Sequence, residues 1–369
     1  MNSLKTMKIK KLIDGYWREL TTAVFGAAVF CLWLFRLPHL MVAREQMQLF
    51  LWNTDYLTER LAEPGGLSRW LGEFIVQFFL NPVYGACWYA ALFVAIQKLT
   101  WRLFQNHGDR FLLSLVPAVC FCYLWTNLNV PMTLTVGFLL ILLLVNMLKP
   151  LKIKARLIGL LILVPVGYWL VGGDCYWESD KVGTHQEMEY DMLLRQQKWE
   201  AIVQLFQKTD ISGETSTGTG DERAYMAIQN AVGLASWRLG RISQEELMRG
   251  LVFSNHALHG VSSAFIMSEV AFQVGMVNIS QRAAFEAMEA IPDYSKSARS
   301  LHRLVETNII TGNYDVALKY IAILEETTFY RGWARKMKSL AQHPETIKDY
   351  PVYQRLKEIY DNGEDRFFY

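Results

Sequence analysis

Lys149-Pro150-Leu151-Lys152-Ile153-Lys154-Ala155-Arg156 carries four cations in eight residues and lies between two strongly apolar runs, residues 130–148 and 157–172. Short loops rich in Lys and Arg stay on the cytoplasmic side of a bilayer, so this stretch is expected to be a cytoplasmic turn. That assignment orients the chain. Everything after Gly172 is then expected on the far side of the membrane.

Charge distribution agrees with a chain in two parts. Residues 1–172 hold 16 Lys/Arg against 8 Asp/Glu, and residues 173–369 hold 21 against 27. The net charges, +8 and −6, give the +2 of the whole chain. A basic, apolar half and an acidic, water-compatible half predict two domains. The cations of the first half flank apolar runs, where they suit lipid headgroups. No Lys/Arg patch interleaved with stacking aromatics points to nucleic acid. Cys31, Cys87, Cys120 and Cys122 fall in apolar runs, where Cys acts as a small hydrophobe, and only Cys175 lies beyond them. No disulfide framework is expected.

Taken in order, the chain opens with Lys5, Lys8, Lys10, Lys11 and Arg18 against Asp14 and Glu19. The apolar run 21–35 lacks a small-x-small cleavage site, and Phe30 before Cys31 does not suit a lipoprotein site. A retained first span is expected. Residues 39–65 are too polar to cross lipid and too aromatic for a free linker, which predicts an interfacial helix on the outer face, ended by Pro64-Gly65-Gly66. Residues 67–80 are short for a span, and Arg69, Glu73 and Gln77 share one helical face. A surface-lying helix with an Arg69–Glu73 pair is favoured over a re-entrant helix lining a polar site. Further spans are expected at 83–103, 111–127, 130–148 and 157–172, with Pro117 and Pro165 as tolerated kinks. The total is five, with the amino end in the cytoplasm and the carboxyl end outside.

The second half shows recurrence. Gly240, Gly275 and Gly312 are spaced by 35 and 37 residues, each in a helix–turn–helix setting, and Gln197 lies 43 before the first. The polar insertion 213–221 accounts for the excess. A tetratricopeptide hairpin is about 34 residues, with a reversal between its helices. Ser280, Ala284 and Ala287 after Gly275, and Ala317 and Ile321 after Gly312, suit close helix packing, whereas Glu245 departs from the pattern. Trp199, Trp237, Phe329, Tyr330 and Trp333 are expected in the core. The expected architecture is all-α: a polytopic helix bundle over 1–172, a linker over 173–185, and a tetratricopeptide-like solenoid over 186–369.

Little in the chain resembles a catalytic motif. His256 and His259 lack a third ligand, the acidic junction Asp174, Glu178 and Asp180 matches no calcium loop, and 213–220 lacks the Lys-Ser/Thr ending of a phosphate loop. No metal and no cofactor is expected. The basic run Arg331, Arg335, Lys336 and Lys338 is a candidate surface for an acidic partner, set against a merely solvated helix face. One enzymatic alternative rests on carboxylates near the outer leaflet: Glu45, Asp55, Glu59 and Glu73. The chain ends on Arg366-Phe367-Phe368-Tyr369, expected as a docked tail or an uncapped solenoid end.

Gln48-Leu49-Phe50-Leu51, Pro64-Gly65-Gly66, Phe78-Phe79-Leu80-Asn81-Pro82, Gly312-Asn313-Tyr314-Asp315-Val316-Ala317-Leu318 and Phe329-Tyr330-Arg331 together resemble an uncharacterised family. Its members are multi-pass envelope proteins of Gram-negative anaerobes with tetratricopeptide-like tails. The chain is shorter at its carboxyl end than the family pattern. The resemblance implies no activity and no catalytic residues. The expectation is an inner-membrane scaffold whose partners are the lipid bilayer and, through periplasmic repeats, a protein of the envelope. A transferase or ligase acting on lipid-linked sugars is the alternative.

Overall fold

The computed structural model describes residues 2–104, 110–151, 153–171, 182–208, 219–253, 258, 260–291, 296–363 and 365. Among these every regular element is helical, and the chain divides into two compact units. The first comprises 1–42 and 54–177; the second comprises 43–53 and 178–369. Ala43–Asn53 thus belongs with the second unit, although it precedes most of the first in sequence.

The first unit contains α1 (Asn2–Phe35), α3 (Thr54–Leu61), α4 (Gly66–Val76), α5 (Pro82–Phe104), α6 (Leu115–Leu124), α7 (Met132–Leu148) and α8 (Ile153–Val171). A further helix, α2 (Pro38–Gln46), runs across the division. The region 39–65 is therefore two short helices, not one, because 47–53 leaves helical geometry between them. Helix α5 packs on α1, α6 and α7, and α7 packs on α4 and α8. Trp33 stacks on Tyr89 at 4.1 Å, and Phe79 and Trp125 close on the same ring at 4.9 Å. Trp125 Nε1 donates to Thr135 Oγ1 at 2.6 Å, so the buried indole N–H is satisfied.

Polar groups occupy the interior of this unit. Thr22 Oγ1 donates to Gln97 Oε1, Gln97 Nε2 donates to Ser114 Oγ, and Ser114 Oγ donates to the Phe111 carbonyl. The outside is apolar: Leu112 is 64% exposed, Met147 72% and Leu161 72%. By length and composition, Tyr16–Phe35 is the one helix among the described residues long and apolar enough to cross a membrane. Leu112–Leu124, Met132–Leu148 and Leu161–Val171 are apolar but shorter. The basic helix ends gather. Lys98 pairs with Glu19 at 2.8 Å, Arg18 lies 5.0 Å over the Trp101 ring, and Lys149 donates to the Arg102 carbonyl. Lys152 and the side chains of Lys154 and Arg156 lie outside the described residues.

The second unit is a run of helices: α9 (His185–Arg195), α10 (Trp199–Lys208), α11 (Thr219–Arg238), α12 (Gln244–Gly250), α13 (Val261–Val274), α14 (Val277–Glu289), α15 (Ala298–Ile310), α16 (Tyr314–Glu325), α17 (Arg331–Gln342) and α18 (Pro351–Asp361). Four of its turns are built alike. Gln197, Gly240, Gly275 and Gly312 have φ of 53°, 70°, 96° and 80°. At each, the following N–H donates to the carbonyl five residues back: Lys198 to Leu193, Arg241 to Ser236, Met276 to Ala271 and Asn313 to Asn308. The left-handed residue itself donates three residues back. This is the Schellman ending, which pairs the last carbonyls of one helix while the chain turns into the next. Between α13 and α14, Ser268 Oγ donates to the Ser280 carbonyl and Ser280 Oγ returns a bond to the Ser268 carbonyl, at 2.9 and 2.8 Å. Ala284 and Ala287 are buried beside them, as the spacing predicts.

Three substitutions check these turns by urea unfolding of the full chain. Gln197→Gly is expected to stabilise by about 0.5–1 kcal/mol, because it removes the left-handed penalty of a side-chain-bearing residue. Gly312→Ala, with open space around its Cβ, is expected to cost about 1 kcal/mol from φ alone. Gly275→Ala is expected to cost more, since its Cβ would also meet Ile359 Cδ1 at 3.0 Å.

Candidate functional site

The second unit carries a partly open cavity of about 300 Å³ lined by α9, α13, α14, α15 and the residue before α17. Its walls are unusually rich in charge for a helix interior. Arg195 ends α9; Glu269 and Gln273 come from α13; Arg299, His302, Arg303 and Glu306 come from α15; Tyr330 closes one side. On α13, Glu269 is the one charged residue of a helix that is otherwise uncharged and mostly buried. A charge at such a position must be matched.

Most of the charges are matched. Arg299 grips Asp191 with both terminal nitrogens, at 2.6 and 2.7 Å, and Nη1 also donates to Gln46 Oε1 at 2.8 Å. Its guanidinium lies 4.5 Å over the Phe265 ring. Arg303 pairs with Glu269 at 2.5 Å and with Glu306 at 3.1 Å, and lies 3.7 Å over Phe272. Glu306 further accepts from Tyr353 Oη at 2.8 Å and pairs with His302 Nδ1 at 3.4 Å, while the imidazole stacks on Trp333 at 3.6 Å. Burial alone would raise the Glu306 carboxyl; Arg303, His302 and Tyr353 outweigh it and hold it down to about 2. Burial likewise works against the Glu269 carboxylate, and Arg303 and Arg299 overcome it, so its pKa is lowered.

Two members differ. Arg195 faces the cavity and, among the described residues, makes no hydrogen bond or ion pair. Glu45 is buried, accepts from Tyr330 Oη at 3.1 Å through Oε1, and leaves Oε2 without a hydrogen-bond partner. Burial pushes its carboxyl up to about 7, against the opposing pull of Arg195, Tyr330 and Arg299. Tyr330 is held protonated, well above the usual phenol range, by burial and by Glu45.

The four carboxylates of the enzymatic alternative fall in both units. Glu45 belongs to the second unit. Asp55 and Glu59 are exposed on α3. Glu73 is buried on α4, accepts from Tyr56 Oη, and pairs with Arg60 and Arg69 at 3.1 and 3.2 Å. Arg69–Glu73 is thus a pair, as its spacing predicts, while Gln77 turns its amide to the Phe74 carbonyl. Of the basic run, Arg331 donates to the Glu325 carbonyl and Lys338 pairs with Glu325 at 2.7 Å, whereas Arg335 and Lys336 are exposed. Tyr330, expected as plain core, instead lines the cavity. His256, His259, Asp174, Cys175, Glu178, Asp180 and Arg366-Phe367-Phe368-Tyr369 lie outside the described residues. Among those described, no three His, Cys, Asp or Glu converge on one point.

The cavity charges had a sequence signal that the turn spacing overshadowed. Arg299 and Arg303, and His302 and Glu306, stand four apart on one helix, opposite the lone Glu269 of α13.

The Glu45 pKa sets a stability profile. Because it is higher in the fold than its ordinary 4.5, Glu45 contributes fully below about pH 4.5, and that contribution is lost as pH rises through about 7. Unfolding at fixed ionic strength is expected to show a decline of up to about 3 kcal/mol between pH 5 and 8 that Glu45→Gln abolishes.

The model of a family of unknown function, DUF6057, matches residues 15–178 and 174–369. The comparisons with curated proteins and with solved structures returned no match.

Proposed function

The chain belongs to the DUF6057 family, whose function is unknown, and we propose that it is a multi-pass inner-membrane scaffold that presents tetratricopeptide-like repeats in the periplasm. The observation that carries the membrane half is the inverted surface of the first unit. Large apolar side chains such as Leu112, Val116, Ile158, Leu161 and Ile162 point outward, while Gln97, Ser114 and Thr135 are fully buried. Exposed apolar area on this scale is a liability in water and suits lipid. Orientation is supported by the gathering of Arg18, Lys98, Arg102 and Lys149, which fits one cytoplasmic end. At another point Gly65 N–H donates to the Trp169 carbonyl, joining two segments read as outer.

The scaffold role draws on the repeated hairpin turns, since stacked helical hairpins expose extended surfaces suited to protein partners. Arg335 and Lys336 are the exposed cations of the basic run and the candidate contacts for an acidic segment. The transferase alternative has one observation in its favour: Glu45 titrates near neutrality, as a general acid or base requires.

Purification of the full chain in mild detergent, with mass spectrometry of what accompanies it, separates the two. The scaffold predicts a co-purifying envelope protein that is lost with Arg335→Glu/Lys336→Glu and kept with Asp55→Ala/Glu59→Ala. A lipid-linked glycan with no protein companion would overturn it in favour of the transferase.

A further inference from the structure

We infer that the cavity of the second unit is a binding site for a small carboxylate with an apolar body, anchored by Arg195. The inference goes beyond the scaffold reading and does not depend on it. Three acids around the cavity are already committed: Asp191 to Arg299, Glu269 to Arg303, and Glu306 to Arg303, His302 and Tyr353. Glu45 is engaged by Tyr330. Arg195 is the cavity arginine for which no acid stands within ion-pair distance among the described residues, and it lines the cavity. A planar fork with free donors matches a carboxylate bidentately.

The remaining wall selects against other anions. Arg299 and Arg303 face three carboxylates, Asp191, Glu269 and Glu306, so Arg195 brings the cavity to charge balance and leaves no surplus for a second negative charge. That suits a monoanion better than a phosphate dianion, which would face Glu269 and Glu306 across a cavity of about 300 Å³. Phe265, Phe272 and Ala284 supply apolar surface next to these charges. Pockets of this size are typically apolar, with a few fixed polar groups that orient the ligand.

N-acetyl-leucine, its amide and inorganic phosphate serve as probes. Each is titrated calorimetrically into the full chain in detergent at constant ionic strength and pH 6. The expected result is saturable binding of N-acetyl-leucine, at least tenfold weaker binding of the amide, and little for phosphate. Arg195→Gln is expected to weaken the acid at least tenfold and Arg195→Lys to retain part of it. Both variants should melt within a few degrees of the parent, because Arg195 makes no hydrogen bond or ion pair among the described residues, and far-UV circular dichroism checks that each is folded. Absence of binding by the acid, equal binding by the amide or phosphate, or undiminished binding by a folded Arg195→Gln would each overturn the assignment.

Discussion

A guanidinium removed from water has to find its countercharge and its acceptors within the protein, and Arg299 does so by drawing three pieces of chain together. Its nitrogens reach Asp191 on α9 and Gln46 in the segment 43–53, and its face lies on Phe265 of α13. Breaking a buried pair of this kind by removing one partner costs about 3–5 kcal/mol, because the survivor is left uncompensated. The geometry of the cavity follows. With Arg299 placed, α15 sets Arg303 and His302 one turn on, and these order Glu269 and Glu306. A wholly apolar interior would fold as firmly. What the charges add is a shaped polar space in which Arg195 stands apart.

The second unit was the more legible from sequence because its punctuation is local. A helix that must end and reverse within two residues needs a left-handed position, and glycine supplies it with no side-chain penalty. The spacing of Gly240, Gly275 and Gly312 therefore located three turns. Gln197 occupies the same geometry without being glycine, and its neighbours, not its own type, marked the place. Small residues at Ser280 and Ala284 likewise announced a close helix contact that local spacing could anticipate.

Interactions distant in sequence were less legible. The mixed polarity of residues 39–65 suggested a helix resting at a lipid surface. Instead, Leu49 enters a hydrophobic cluster with residues of α15, α16 and α17, and Trp52 donates its backbone N–H to the Glu326 carbonyl at 2.9 Å and its indole N–H to Thr328 at 2.7 Å. Nothing local in 43–53 names a partner some 270 residues away. The cavity was missed for a related reason: the cluster on α15 meets Glu269 of α13 and Arg195 of α9 only through tertiary packing. In the first unit, apolar runs located the helices, but length alone left the number of spans open, since α6 and α7 are shorter than a bilayer is thick.

The insertion of 43–53 bears on how this protein can be assembled and dissected. The second unit is discontinuous: its core contains Leu49, supplied by an early part of the chain, and helices made last. During synthesis, residues 43–53 must wait, unpaired, until α15 to α17 exist, and contacts of such long sequence separation slow folding. A fragment cut at the apparent junction near residue 178 would carry α9 to α18 and still lack Glu45, Gln46 and Leu49. The hairpins would be intact, with Arg299 short of an acceptor and an apolar slot open. Covalent continuity and structural membership do not coincide in this protein, and a boundary drawn along the chain divides a single core.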